Sequence, residues 1–302
     1  MPEATYNKEW FKRRAFESIK KISDGNWDYS DSLLLYLPSE VDHYATLQNT
    51  DSPYYTIVTK PEREYLFSIA KDVATQLPTN FEFIDLGPGT EHKEQFLFDE
   101  LAAQGKKFTY IPIDINTDYL ELAETHATQQ GITVRTIQSS FEELAEKLGK
   151  STLPRFVSLG LTFSNYAPQD IIKLLRDIAG ENGFVFINAH MRDRTNMVEL
   201  QQAYAIDAVH MADEKLKLIG LDPDKDLTPR EATDDVKVWT SLLTTNTELD
   251  ALGIKKYDKL LVFQSLRYTK ETLIDELEKT GCSFTLLDTG SPFIATLLHT
   301  KP

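Results

Sequence analysis

The chain has 302 residues, 41% of them hydrophobic, with 16 Phe, 13 Tyr and 3 Trp; this is enough for one large domain or two coupled ones and too aromatic for disorder. Its 32 basic and 47 acidic side chains leave a net charge of −15, which makes nucleic acid and anionic membrane poor partners. The single cysteine, Cys282, and six histidines without paired-ligand spacing argue against a disulfide or a metal centre.

The N-terminal segment MPEATYNKEWFKRRAFESIKK is charged and lacks the apolar core of a secretory signal. No apolar run reaches the roughly 18 residues of a membrane span. The expected compartment is the cytoplasm.

From residue 81 short apolar runs alternate with amphipathic ones. FEFIDLG (81–87) reads as a buried strand, and residues 91–105 as a helix with Phe96, Leu97, Leu101 and Ala102 at helical spacing. FTYIPID (108–114) is a second strand. Residues 117–131 form a second helix, capped by Thr117 or Asn116 and stopped by Gly131. TVRTIQ (133–138) reads as a weaker third strand. Ser140 and Glu143 make a capping-box pattern for a helix over 140–149. RFVSLGLTF (155–163) and GFVFINAH (183–190) are further strands, separated by a helix over 168–180 that starts on Pro168. This alternation predicts an α/β domain with a parallel sheet.

The pattern then changes. Residues 194–220 read as one long helix or two, and 236–245 and 259–268 alternate like antiparallel strands. A helix over 269–281 precedes two strands around a turn at Gly290, Ser291 and Pro292. The expected division is a core of 62–189 plus 267–302, with 1–61 and 190–266 as a second α+β lobe.

Four places carry chemistry. Asp85-Leu86-Gly87-Pro88-Gly89-Thr90 lies where a strand meets a helix, where glycines admit a ligand to the backbone and the helix offers free N–H groups. A dinucleotide fingerprint needs a third glycine where His92 stands. Asp114, at the end of the second strand, is placed to accept both hydroxyl protons of a ribose. That pair suits either NAD or S-adenosylmethionine. Asn165, in Gly160-Leu161-Thr162-Phe163-Ser164-Asn165-Tyr166, can donate and accept beside a cofactor. Tyr204 lies on the helix after the fifth strand. Read alone, Asn165 is as well a turn residue and Tyr204 a core residue.

Together, SPYYTIVTKPEREYL (52–66), FIDLGPGTEHKEQFLFDEL (83–101), YIPIDINTDYLELA (110–123), FVSLGLTFSNYAP (156–168) and the Tyr204 helix resemble the EgtD-like histidine-specific methyltransferases. Wider relatives of that family are fungal N-methyltransferases acting on tryptophan-derived amines. The resemblance runs over about residues 50–210. It implies a doubly wound, Rossmann-like class I methyltransferase domain with a substrate-binding lobe, S-adenosylmethionine as cofactor, and N-methylation of an amino acid or small amine.

By the same resemblance Gly87, Gly89 and Lys93 lie at the cofactor, with Lys93 near its carboxylate. Asp114 holds the ribose, Tyr55 closes over the cofactor, and Ser140 and Phe141 flank the adenine. Asn165 and Tyr204 hold the substrate's amine and carboxylate. Glu62 and Asp207 are candidate proton acceptors. Phe263-Gln264-Ser265-Leu266-Arg267-Tyr268 matches the family's histidine-reading stretch in Ser265, Arg267 and Tyr268. Phe263 stands where that stretch carries Glu. A phenyl ring cannot bind an imidazole N–H and favours an apolar or aromatic group. The rival readings are an NAD-dependent oxidoreductase, a methyltransferase-like binding protein without catalysis, and a methyltransferase acting on another protein.

Overall fold

A computed structural model describes residues 6–37, 43–90, 93–206, 208–233 and 236–300. The chain forms two compact units, Met1–Tyr54 with Met197–Leu266, and Tyr55–Asn196 with Arg267–Pro302. Residues 55–61 and 190–196, expected in the smaller lobe, therefore group with the larger unit. Asp207 and the first two residues of the helix expected over 91–105 lie outside the described residues.

The larger unit is a doubly wound α/β domain. Its strands are β1 (Asn80–Leu86), β2 (Lys107–Asp114), β3 (Thr133–Val134), β4 (Ile137–Gln138), β5 (Arg155–Leu159), β6 (Phe184–His190), β7 (Ser283–Leu287) and β8 (Phe293–His299). They lie in the order β7-β8-β6-β5-β1-β2-β3, with β4 also pairing β2. Strands β1 to β6 are parallel to one another, whereas β8 runs antiparallel between β6 and β7. The expected terminal pair thus forms, and its second strand is the one that joins the sheet. The order reverses between β1 and β5, so ligands are expected outside the carboxyl ends of these two strands.

Helix α1 (Lys60–Gln76) buries Tyr65, Leu66, Ile69, Ala70, Val73 and Ala74 at helical spacing. Helix α2 (Gln95–Ala103) buries Phe96, Leu97, Phe98 and Leu101. Helix α3 (Thr117–Gln129) starts on Asn116, whose side chain accepts from the Asp118 N–H at 3.0 Å. Phe83 centres the aromatic core, 4.9 Å from Phe156, 5.4 Å from Tyr110 and 5.9 Å from Phe98 between ring centroids.

Two local expectations are corrected. The third strand is two short pieces: the first pairs with β2 at Thr109 and Tyr110, the Arg135 N–H donating to the Tyr110 carbonyl (3.0 Å), and the second rejoins β2 with Ile137 opposite Ile113. The helix expected over 140–149 shrinks to α4 (Leu144–Leu148), which starts after Glu143 without a side-chain cap. The Ser139 N–H is spent on the Asp114 carbonyl at 3.0 Å, so the chain through Ser140 leaves a strand rather than entering a helix. Helix α5 (Pro168–Ala179) begins on its proline as expected. Helix α6 (Lys270–Glu278) starts from a Thr269–Thr272 capping box.

The smaller unit has its own sheet. Asn26–Asp28 pairs antiparallel with Lys20–Ser23 and parallel with Lys259–Gln264, which in turn pairs antiparallel with Lys237–Ser241. The stretch 194–220 divides into Met197–Ile206, a short 3-10 turn Ala208–Ala212, and Asp213–Leu218. Two buried residues tie the N-terminal segment to the last of these. The Lys215 ammonium donates to the Tyr29 carbonyl at 2.6 Å, and the Tyr29 hydroxyl donates to the Lys215 carbonyl at 2.6 Å. The ammonium also lies 4.8 Å from the centre of the Tyr29 ring.

Burial pushes the Lys215 ammonium down to about 7, against the pull of Asp31 and Asp28. The folded state therefore sheds this proton at a pH where the unfolded chain keeps it. The Lys215 contribution to stability rises as pH climbs from about 7 towards the ordinary lysine value. Lys215→Met removes that titration. Thermal unfolding at pH 6, 8 and 10 is expected to show a melting-temperature difference, variant minus wild type, that shrinks as pH rises.

Candidate functional site

The carboxyl edge of the larger sheet gathers most of the residues singled out above. Strand β1 ends in Asp85 and Leu86, and the chain then turns through Gly87 and Gly89 with φ of 69° and 67°. These are left-handed conformations that favour glycine. The Gly87 N–H donates to the Ile113 carbonyl at 2.9 Å, which locks the turn to β2. A β-carbon built on Gly87 would stand 3.8 Å from the tip of the Phe141 ring and 4.0 Å from the Thr162 hydroxyl. Both are ordinary van der Waals distances, so the left-handed backbone rather than crowding is what calls for glycine here. Thr162 belongs to the turn after β5, so this contact lies at the reversal of strand order.

Asp114 ends β2 nearly buried, at 7% exposure. Its carboxylate accepts from the Asn116 N–H at 2.8 Å and from the Ile115 N–H. Burial still outweighs these donors and pushes the group up to about 7. Asp85 accepts from the Tyr110 hydroxyl at 2.8 Å. Burial pushes it up to about 8, the Glu94 charge acts in the same direction, and Tyr110 and Lys93 oppose them. Glu94 and Asp114 thus both act on Asp85 to raise it, and Lys93 is the cation that opposes them.

The remaining cofactor candidates occupy defined places. Lys93 lies just before α2, with Nζ 2.8 Å from Glu62 Oε2. Phe141 tilts against Tyr166 at 6.4 Å, and Ser140 is buried. Tyr55 is half-buried and opens the wide helical turn Tyr55–Thr59 that leads into α1. Asn165 is buried at the end of the 3-10 turn Leu161–Asn165. Glu62, a candidate proton acceptor by sequence, is fully buried, and its other oxygen accepts from Asn188 Nδ2 at 2.8 Å. Its two oxygens thus face Asn188 and Lys93 within the protein.

The substrate candidates of the smaller unit also meet. The Tyr204 hydroxyl donates to Ser265 Oγ at 3.1 Å. The Tyr204 ring lies 5.7 Å from Phe263 at an interplanar angle of 24°, and 5.4 Å from Tyr54 at 73°. All of Tyr204, Phe263 and Ser265 are buried. Tyr54 was not singled out by sequence, nor were Asn188 and His190. The latter two were legible in principle: they are polar residues two apart in a strand otherwise made of apolar ones, FVFINAH. His190 stacks on Phe293 at 4.5 Å. The Thr195 hydroxyl donates to the Met191 carbonyl (2.6 Å), so at 2.8 Å it accepts from His190 Nε2–H.

The larger unit is thus a Rossmann-like domain of the class I methyltransferase type, with glycine turn, strand-end aspartates and antiparallel final strand. Over residues 34–219, more than half its length, the chain matches the histidine-specific, S-adenosylmethionine-dependent methyltransferases, and it belongs to that family. It is also similar to the N-methyltransferase dtpB of Aspergillus flavus, 28% identical over 153 residues, which cover 49% of this chain and 39% of that protein. The match therefore spans about two fifths of the length of this curated relative. Among solved structures, one likeness is a methyltransferase from Aquifex aeolicus (TM-score 0.43, 13% identity, 85% of this chain and 98% of that one). Another is human N-acetylserotonin methyltransferase in complex with its cofactor (TM-score 0.44, 14% identity, 100% and 69%). No helix among the described residues is long and apolar enough to cross a membrane.

Two outcomes follow from this geometry. Asp85 holds its proton in the folded state far above the ordinary carboxylate range, so its cost to stability grows as pH rises towards about 8. Asp85→Asn is expected to raise the melting temperature, by more at pH 8.5 than at pH 5. Gly87→Ala is expected to cost about 1 kcal/mol in stability from its left-handed backbone, with no clash at Phe141 or Thr162. Denaturant unfolding measures the cost.

Proposed function

We propose that this chain is an S-adenosylmethionine-dependent N-methyltransferase acting on an amino acid or related small amine. The observation that carries the reading is the left-handed glycine turn after β1 beside Asp114 at the end of β2, where the strand order reverses. A nucleoside cofactor fits there, with its ribose at Asp114. The dinucleotide fingerprint would need a third glycine where His92 stands.

When bound, S-adenosylmethionine supplies a methyl group already activated as a sulfonium. In this reading Asp114 takes the ribose hydroxyls, since its backbone donors leave acceptor capacity on the carboxylate. Phe141 and Ser140 border the adenine, Gly87 and Gly89 let the ligand approach the backbone, and Tyr55 covers it. Lys93 receives the carboxylate of the cofactor's amino-acid tail. Asn165 and Tyr204 orient the substrate. The attacking nitrogen has to be neutral, and Asn165 can accept from its N–H while solvent takes the proton. Most of the rate in such a transfer comes from alignment. The pairing of Tyr204 with Phe263 and Tyr54 favours an aromatic or apolar side chain over imidazole.

Calorimetric titration with S-adenosylhomocysteine tests the cofactor, and mass spectrometry of histidine, tryptophan and tryptophan-derived amines tests the transfer. Wild type is expected to bind and to methylate an aromatic amine in preference to histidine. Asp114→Ala is expected to lose about 2 kcal/mol of binding, the worth of a charge-assisted hydrogen bond, or roughly thirtyfold in affinity. A folded wild type that binds NAD and not S-adenosylhomocysteine overturns the reading, and binding without turnover on any amine or peptide points to a non-catalytic relative.

A further inference from the structure

Glu62 has no part in the chemistry assigned above, yet it is fully buried in the first turn of α1. Its Oε1 accepts from Asn188 Nδ2 on β6 at 2.8 Å. A carboxylate can only accept, so this contact fixes which way the Asn188 amide faces. Asn188 is itself fully buried, and its Oδ1 has no hydrogen-bond partner among the described residues. The second carboxylate oxygen lies 2.8 Å from the Lys93 ammonium, as an ion pair rather than an aligned hydrogen bond.

The pair is lopsided. The Glu62 side chain is 0% exposed, whereas that of Lys93 is 21% exposed. Burying an anion against one partly hydrated cation is a poor way to gain stability. What the arrangement does supply is location. A lysine is a point charge on a flexible stem with rotatable donors. Here that charge is tethered to an anion seated on a strand of the central sheet and delivered by a helix, immediately after the glycine turn.

We propose that Glu62 is a positioning residue: seated on Asn188, it holds the Lys93 ammonium where the carboxylate of the cofactor's amino-acid tail is received. The proposal rests on the cofactor reading above. It requires that Glu62 act only through Lys93, and only on ligands that carry the tail.

The test is a set of calorimetric titrations with S-adenosylhomocysteine and with 5′-methylthioadenosine, which keeps the nucleoside and lacks the amino-acid tail. Glu62→Gln is expected to weaken S-adenosylhomocysteine roughly tenfold, the lower range for loss of a supporting partner. It is expected to leave 5′-methylthioadenosine unchanged and to add nothing in a Lys93→Met background. Asn188→Ser, which keeps the Glu62 charge, is expected to reproduce the selective loss and serves if Glu62→Gln does not fold. Equal weakening of both ligands, unchanged or tighter S-adenosylhomocysteine binding, or an additive loss in the Lys93→Met background overturns the assignment while leaving the cofactor reading intact. A folded wild type that binds neither ligand overturns both.

Discussion

Two buried carboxyl groups stand at the ends of adjacent parallel strands of the larger unit, and the fold around them has to meet the cost of their burial. Leu86 pairs with Ile113 across β1 and β2, so Asp85 and Asp114 reach the same edge of the sheet. Both are almost removed from water, and desolvation raises both. The fold meets this cost with a tyrosine hydroxyl for Asp85 and two backbone N–H groups for Asp114. It does not meet it in full, so both groups keep their protons to higher pH than an exposed carboxyl does. The glycine turn, the bond from Gly87 to Ile113 and the Phe141 ring above the turn all build on that edge.

The smaller unit solves a comparable problem with the opposite sign. Lys215 is fully buried, and its ammonium is held by the Tyr29 carbonyl and ring while Tyr29 donates back. This reciprocal pair joins the N-terminal segment to the helix Asp213–Leu218, and Asn26–Asp28 joins the same segment to Lys259–Gln264 as a parallel neighbour. The unit thereby becomes one body from two distant stretches of chain. Its aromatic cluster of Tyr54, Tyr204 and Phe263 contains Ser265 as a hydroxyl partner, and Phe263 brings no charge to it.

Membership of the histidine-specific methyltransferase family and the fold agree with each other. Ser140 and Glu143, three apart, predict a helix start from spacing alone, whereas the helix begins only at Leu144 and the Ser139 N–H still pairs with β2 at the Asp114 carbonyl.

Apolar periodicity, turn residues and the order of strands and helices were enough to place the α/β core, its glycine turn and the strand-end Asp114, because each depends on neighbours within a few residues. Tertiary structure alone decided which buried polar groups meet. Glu62 and Asn188 are 126 positions apart, and Tyr29 and Lys215 are 186 apart. The apolar run FVFINAH marks Asn188 as a polar residue in a buried strand, but nothing local names the partner that any of these four residues finds. Their roles follow from desolvation and from the partner each finds once the sheet has formed, and both are properties of the packed chain.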